Sequence, residues 1–138
     1  MDAIYTATAT ASGDGRNGRT ESEDGLLAVD VRIPKEMGGP GGATNPEQLF
    51  AAGYAACFHS ALKVVAGREG LDVTGTEVSA SVGIGPLDNG GFGLAVELDV
   101  HAPALDRDTA EAIVAKAHEV CPYSNATRGN IDVTLSIV

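Results

Sequence analysis

One long apolar segment restricts the fold of this chain more than any other feature. Asn45 and Pro46 suit the N-cap and the first position of a helix, and Gln48 lies where a capping box requires it. The pattern predicts a helix that runs to about Glu69 and is stopped by Gly70. Its middle, LFAAGYAACFHSALKVVA, is apolar on nearly all sides and needs cover around most of its circumference. Because a monomer of 138 residues offers limited cover, we expect dimerisation through this helix.

Alternating apolar and polar residues predict strands on both sides of this helix. The expected strands are 3–12, about 19–23, 26–33, 73–85, 92–102 and 131–138, with turns at 13–18 and 88–91 and a glycine-rich loop at 38–42. A second helix is expected over roughly Arg107–Val120, capped by Asp106 or Asp108 and ended by Pro122. This order of elements predicts one α+β domain over residues 1–138, with a mostly antiparallel sheet.

Composition and charge argue against several classes of partner. The formal net charge is -10, which disfavours nucleic-acid binding because affinity for phosphate backbones comes from Lys and Arg. No run approaches the ~18 apolar residues of a membrane span, so we expect no membrane partner. The first residues lack the basic start and apolar stretch of a signal peptide. We therefore expect a cytoplasmic protein.

The two cysteines are the main candidates for chemistry. Cys57 lies in the middle of the first helix and Cys121 closes the second, 64 positions later. In a reducing compartment two cysteines are more often redox-active than structural, although each could also be a small packing residue. A free thiol has a pKa of about 8.5, so a nucleophilic Cys57 needs a cationic partner. A second thiol within reach of a sulfenic acid condenses with it, and only the fold could bring Cys121 that close.

The histidines support a different chemistry only weakly. His59 is two residues from Cys57 and points to another side of the helix. His118 is three residues before Cys121 and could share its face, which is the best support for a Cys–His hydrolase. No Cys-x-x-Cys or His-x-x-x-His spacing is present, so we expect no metal site.

Four segments carry a resemblance to a known family. They are the glycine-rich loop 38–42, the helix start 45–54, the Cys57 motif 56–58 and the stretch VCPYSNATRGN at 120–130. In this order they resemble the organic hydroperoxide resistance (Ohr) family, within the wider OsmC-like superfamily. The resemblance covers essentially the whole chain.

The resemblance implies a fold and a site. It implies an OsmC-like α+β fold and an intertwined homodimer with two active sites at the interface. Cys57 matches the peroxidatic cysteine and Cys121 the resolving one, while Arg16 and Glu47 match the charged residues of the site. A straight helix separates Glu47 and Cys57 by ~15 Å, so either the helix breaks between them or the partner subunit supplies Glu47. The resemblance favours the partner for both Glu47 and Arg16.

The implied function is a thiol-dependent peroxidase that responds to oxidative stress. It would reduce alkyl and fatty-acid hydroperoxides through a Cys57 sulfenic acid and a Cys57–Cys121 disulfide. A lipoyl-type dithiol carried on a protein would then regenerate the thiols, and no cofactor is required. Phe50, Tyr54 and Met37 are expected to hold the hydrocarbon tail of the substrate. Alternatives are an OsmC-type peroxidase with another donor or peroxide preference, a non-enzymatic lipid-binding module and the Cys–His hydrolase.

Overall fold

The computed structural model describes residues 1–138 and contains six strands and three α-helices. The strands are β1 (Ala9–Ser12), β2 (Arg19–Ser22), β3 (Ala28–Asp30), β4 (Glu77–Pro86), β5 (Phe92–His101) and β6 (Val133–Ile137), and the helices are α1 (Pro46–Arg68), α2 (Arg107–Val120) and α3 (Pro122–Thr127). The predicted α+β class is confirmed. The chain divides into two compact units, Met1–Leu49 and Phe50–Val138, and its assignment as a single domain stays a prediction.

The N-terminal unit is built on a small antiparallel sheet. Strands β1, β2 and β3 lie in that order, and a 3-10 turn at Gly15–Asn17 connects the first two. The strands are shorter than the 3–12 and 26–33 predicted from the sequence pattern, because the continuous pairing stops at Ala9 and at Ala28 and Asp30. Only single backbone bonds, such as Glu23 N–H to Thr8 O and Val31 N–H to Gly18 O, lie beyond it. Val31 is the only hydrophobic residue of this unit that is buried in the chain.

The C-terminal unit contains nearly the whole hydrophobic core. Strands β4 and β5 form a long antiparallel hairpin, and β6 pairs with β5 in parallel. The parallel pair is possible because α2 and α3 form the connection between β5 and β6. Helix α1, alternate positions of β5 and one face of α2 supply the largest buried side chains, among them Tyr54, Phe58, Leu62, Leu98, Val100 and Ile113.

The start and end of α1 follow local signals in the sequence. The predicted N-cap is observed, since the Gln48 amide donates to Asn45 Oδ1 at 2.9 Å. The predicted capping box is not, because the Gln48 side chain accepts from Thr44 Oγ1 at 2.7 Å instead. The helix ends at Arg68, and Gly70 follows with a φ of 67° that favours glycine.

Helix α1 is buried on one side only. Its buried residues are Tyr54, Phe58, Ala61, Leu62, Val65 and Ala66. By length and composition the helix could cross a membrane, contrary to the expectation that no segment would qualify, and one third of its most apolar stretch (33%) is buried. The core helix of a globular protein meets the same measure. The cover expected on several sides is thus incomplete in one chain.

The second helical region has an element that the sequence did not predict. Asp106 caps α2 by accepting from the Thr109 amide at 3.0 Å, and α2 ends at Val120 as expected. Cys121 then serves as the last residue before α3, which starts at Pro122. A helix of six residues is too short to show a helical period, which explains why the pattern did not reveal α3.

Candidate active site

The structure brings the two cysteines together within the C-terminal unit. Cys57 is half-buried on α1, whereas Cys121 is completely buried at the junction of α2 and α3. Their sulfurs are 3.7 Å apart and both thiols are free. A disulfide requires an S–S distance of about 2.05 Å, so a shift of roughly 1.7 Å would join them. The pair is therefore arranged for reversible disulfide chemistry.

A buried cluster of hydroxyl groups holds α3 against α1. The Tyr54 hydroxyl, one turn before Cys57, lies 2.9 Å from Ser124 Oγ and 3.1 Å from Thr127 Oγ1. His118 of α2 adds a bond from its Nδ1 to Ser124 Oγ at 2.8 Å. We call Tyr54, Ser124 and Thr127 the hydroxyl cluster. Because it fixes α3 to α1, it also fixes the position of Cys121 opposite the thiol of α1.

The Cys57 thiol is hard to ionise in the single chain. Burial raises its pKa, the backbone N–H of Tyr123 opposes this by donating to the sulfur, and the neighbouring Cys121 thiol raises the pKa further. No cationic side chain is among the groups that shift this pKa. The thiol is thus mostly protonated at neutral pH, and a nucleophilic role requires an added positive charge.

Arg16 and Glu47 form a bidentate ion pair within the N-terminal unit. Arg16 Nη1 and Nη2 donate to the two carboxylate oxygens of Glu47 at 2.9 and 2.8 Å. The hydrogen bonds from Arg16 lower the pKa of Glu47, against the effect of burial, and raise that of Arg16. The pair is therefore fully charged at neutral pH. Arg19, the other arginine near the turn, is bound to Asp30 on the exposed sheet.

Helix α1 is unbroken between Glu47 and Cys57. The first of the two arrangements considered above, a break in the helix between these residues, is therefore wrong. Ten residues of straight helix separate their Cα atoms by about 15 Å.

An apolar groove of about 390 Å³ runs beside Cys57. Its lining residues are Cys57, Ser60, Ala61, Val64, Arg68, Val120 and Pro122. Phe50 and Tyr54, predicted to hold substrate, lie elsewhere: Phe50 packs edge-on against Tyr54 and Tyr123, and Tyr54 is completely buried. Met37 is 43% exposed in the N-terminal unit. The substrate roles of these three residues stay predictions.

The histidines do not contact either sulfur. The His118 ring bonds to Ser124, and burial together with the charge of Arg128 lowers its pKa. The structure therefore gives no Cys–His pair of the kind that a hydrolase requires.

Sequence reasoning missed Ser124, Thr127 and Arg68, because their importance depends on what the fold packs beside them.

Comparison with known proteins agrees with this architecture. The family described as OsmC-like protein matches residues 39–136. An organic hydroperoxide resistance protein from Xanthomonas axonopodis pv. citri is 55% identical over 136 residues, covering 97% of this chain and 94% of that protein. The chain belongs to the OsmC/Ohr family.

Solved structures give the same result for the fold of this OsmC/Ohr chain. A structure of an organic hydroperoxide resistance protein from Legionella pneumophila has a TM-score of 0.94 and 54% identity, covering 99% of this chain and 98% of that one. The structure of OhrB from Bacillus subtilis has a TM-score of 0.90 and 45% identity, covering 99% and 100%. The family resemblance and the OsmC-like fold predicted from the sequence are thus confirmed.

Proposed function

We propose that this OsmC/Ohr chain is a cysteine-based peroxidase that reduces alkyl and fatty-acid hydroperoxides as part of the oxidative stress response. The observation that carries the proposal is the pair of free sulfurs 3.7 Å apart, with Cys57 facing an apolar groove. The relatives named organic hydroperoxide resistance proteins support the substrate class. A hydrocarbon tail gains about 0.8 kcal/mol per buried CH₂ in such a groove, a gain that hydrogen peroxide lacks.

The reaction has three balanced steps. The Cys57 thiolate attacks the terminal peroxide oxygen, the O–O bond breaks, and the alkoxide takes a proton to leave as an alcohol. Cys57 is now a sulfenic acid. The Cys121 sulfur attacks it, which gives a Cys57–Cys121 disulfide and water. An external dithiol then reduces this disulfide by exchange and becomes a disulfide itself.

The active form in this proposal is an intertwined homodimer in which Arg16 and Glu47 come from the partner subunit. An opposite charge within about 4–6 Å lowers the pKa of a thiol, which offsets the effect of burial on Cys57. Glu47 orients the Arg16 guanidinium through the bidentate bond. The unbroken α1 and the scarcity of buried residues in the N-terminal unit support this arrangement.

The reductant in this proposal is a lipoyl-type dithiol carried on a protein, and the location is the cytoplasm. Turnover of a lipid hydroperoxide should be faster with dihydrolipoamide than with thioredoxin. Faster turnover with thioredoxin would favour an OsmC-type peroxidase with another donor preference.

Two cysteine variants test the assignment of roles. Cys57→Ser should abolish hydroperoxide turnover, whereas Cys121→Ser should complete one turnover and then be inactivated progressively by excess peroxide. Ser60→Ala, which changes another side chain of the groove, is the matched control and should keep near-normal activity. Retained turnover in Cys57→Ser, or normal cycling in Cys121→Ser, would refute the corresponding role.

A lipid-binding module without enzymatic activity is the second candidate. The raised pKa of Cys57 in the single chain favours it, because an inert thiol beside an apolar groove suits binding better than chemistry. Thiol titration of the assembled protein separates the two. A Cys57 that alkylates slowly below pH 8, with no hydroperoxide turnover, would favour the module.

A further inference from the structure

His118 is a group that the proposed reaction steps do not use. Its ring lies against the hydroxyl cluster, where its Nδ1 is 2.8 Å from Ser124 Oγ. The three residues of the cluster, Tyr54, Ser124 and Thr127, are completely or almost completely buried within one chain. Because dimerisation covers surfaces, hydrogen bonds between groups that one chain already buries do not depend on the partner subunit.

The hydrogen bonds of the cluster can all be made in one direction only. A hydroxyl group has one proton to donate, and a carbonyl oxygen only accepts. Thr127 Oγ1 donates to the Ser124 carbonyl oxygen at 3.2 Å, so it accepts from the Tyr54 hydroxyl, which in turn accepts from Ser124 Oγ. Ser124 has then used its proton and accepts from His118 Nδ1. This order requires a proton on Nδ1, and the reverse order would leave the bond to the carbonyl unmade.

The bond from His118 to Ser124 spans Cys121. His118 lies in the last turn of α2, three residues before Cys121, and Ser124 lies three residues after it in α3. Arg128 closes the same corner a second time, because it donates to the His118 carbonyl and to Asn125 Oδ1. The corner between α2 and α3 is therefore held by two sets of side-chain hydrogen bonds around the buried thiol.

We propose that His118 is a positioning residue for the step in which Cys121 resolves the oxidised Cys57. Its Nδ1–H holds Ser124, and with it the corner between the two helices, so that the Cys121 sulfur stays directed at the Cys57 sulfur 3.7 Å away. A fixed corner raises the effective concentration of the attacking thiol. The proposal rests on the proposed peroxidase function and adds a residue to its second step.

The chemistry of that step does not require a proton from His118. The Cys121 sulfur bonds to the Cys57 sulfur, the S–O bond of the sulfenic acid breaks, and the thiol proton leaves with the hydroxyl group as water. The His118 Nδ1 proton stays in its bond to Ser124 throughout. His118 therefore acts on the position of Cys121 and not as an acid or base.

The position of the proton can be measured in the reduced, unmodified protein. With 15N-labelled histidine, long-range 1H–15N correlation spectra at about pH 8 distinguish the two neutral tautomers of the ring. The His118 signal is assigned by its loss in His118→Asn. We expect the proton on Nδ1. A proton on Nε2 would mean that the hydrogen bonds run in the reverse order and would overturn the proposal.

Two variants separate the hydrogen-bond donor from the rest of the ring. The amide of Asn can place an N–H where Nδ1 lies, whereas the longer Gln places its amide near the position of Nε2. His118→Gln should slow formation of the Cys57–Cys121 disulfide about fivefold, as expected for one hydrogen bond, and leave the first reaction with peroxide unchanged. His118→Asn should retain most of the unmodified rate. Rapid mixing of the dimeric protein with one equivalent of tert-butyl hydroperoxide measures both steps.

His101→Gln is the matched control. His101 lies on β5, outside the cluster, and its Nδ1 contacts the Val138 carbonyl. It should change neither step. Equal slowing in His118→Asn and His118→Gln would indicate a loss of ring packing against Phe58, and this result, or no slowing in His118→Gln, would overturn the proposal. Absence of any reaction with the hydroperoxide in the unmodified protein would instead refute the peroxidase function.

Discussion

The two units of the chain differ in how they bury their apolar side chains. The C-terminal unit provides every hydrophobic residue of the core cluster, with Phe58, Leu62 and Leu98 fully buried. The N-terminal unit has Val31 as its only buried hydrophobic residue, although burial is measured in the whole chain. The turn between β2 and β3 also exposes Leu26, which is 90% accessible. The N-terminal unit therefore has almost no hydrophobic core of its own.

The same division separates the chemical groups of the site. The sulfurs of Cys57 and Cys121 belong to the C-terminal unit, which contains the hydrophobic core, and the charged Arg16–Glu47 pair belongs to the N-terminal unit. The half-buried Cys57 thiol has a raised pKa, whereas the hydrogen bonds of the bidentate pair raise the pKa of Arg16 and keep it charged. In our proposal, dimerisation covers the N-terminal unit and activates the thiol in a single step.

The largest expected effect is on the core of the C-terminal unit. Phe58→Ala should lower the free energy of unfolding by about 3–5 kcal/mol, because it leaves a cavity among fully buried side chains. Leu26→Ala in the N-terminal unit should change it by less than about 0.5 kcal/mol, because Leu26 lies in an exposed turn. Urea denaturation measures both. Equal losses would mean that assembly buries Leu26, and that the contrast between the units exists only in the single chain.

The second-largest effect is expected from removing the positive charge of Arg16 in the N-terminal unit. Arg16→Gln should lower kcat/KM for a hydroperoxide about 100-fold, in the range of removing one stabilising donor from a catalytic site. Because only the thiolate reacts, losing the cation raises the pKa of Cys57 and moves the midpoint of its alkylation rate to higher pH. Arg19→Gln is the control, since Arg19 bonds on the exposed sheet. An unshifted alkylation midpoint in Arg16→Gln would contradict the activating role.

A smaller effect is expected from the hydroxyl cluster. Tyr54→Phe keeps the packing of the ring but removes its bonds to Ser124 and Thr127, which should cost about 1 kcal/mol of stability. Formation of the Cys57–Cys121 disulfide should slow by a few fold, while the first reaction with peroxide is unchanged. Rapid-mixing measurements with one equivalent of peroxide separate the steps. Tyr123→Phe is the control, because the hydroxyl of Tyr123 forms no hydrogen bond. It should have neither effect.

Local signals predicted the helices well and the site only in part. The caps at Asn45 and Asp106 were predictable because each bonds to an amide three residues later. The approach of Cys57 and Cys121 across 64 positions was not, since it depends on how α1, α2 and α3 pack. The family resemblance pointed to these residues, but spacing alone did not.

Other features of the structure could not be predicted from the sequence pattern either. The short α3 has fewer than two helical turns. The hydroxyl cluster joins Tyr54 to residues some 70 positions away. The groove residue Arg68 looks like an ordinary C-terminal helix cation in the sequence. Its place in the wall of the groove beside Cys57 depends on how α1 packs near Val120 and Pro122.

Activity of a mixed dimer tests the central claim most directly. Two differently tagged chains, one with Arg16→Gln and the other with Cys57→Ser, are co-expressed and the heterodimer is isolated through both tags. If the partner supplies Arg16, one of the two sites combines an intact Cys57 with an intact Arg16, and about half of the unmodified activity is expected. Each variant homodimer should be nearly inactive. A heterodimer as inactive as the two homodimers would contradict the account, because Arg16 would then act only on the Cys57 of its own chain.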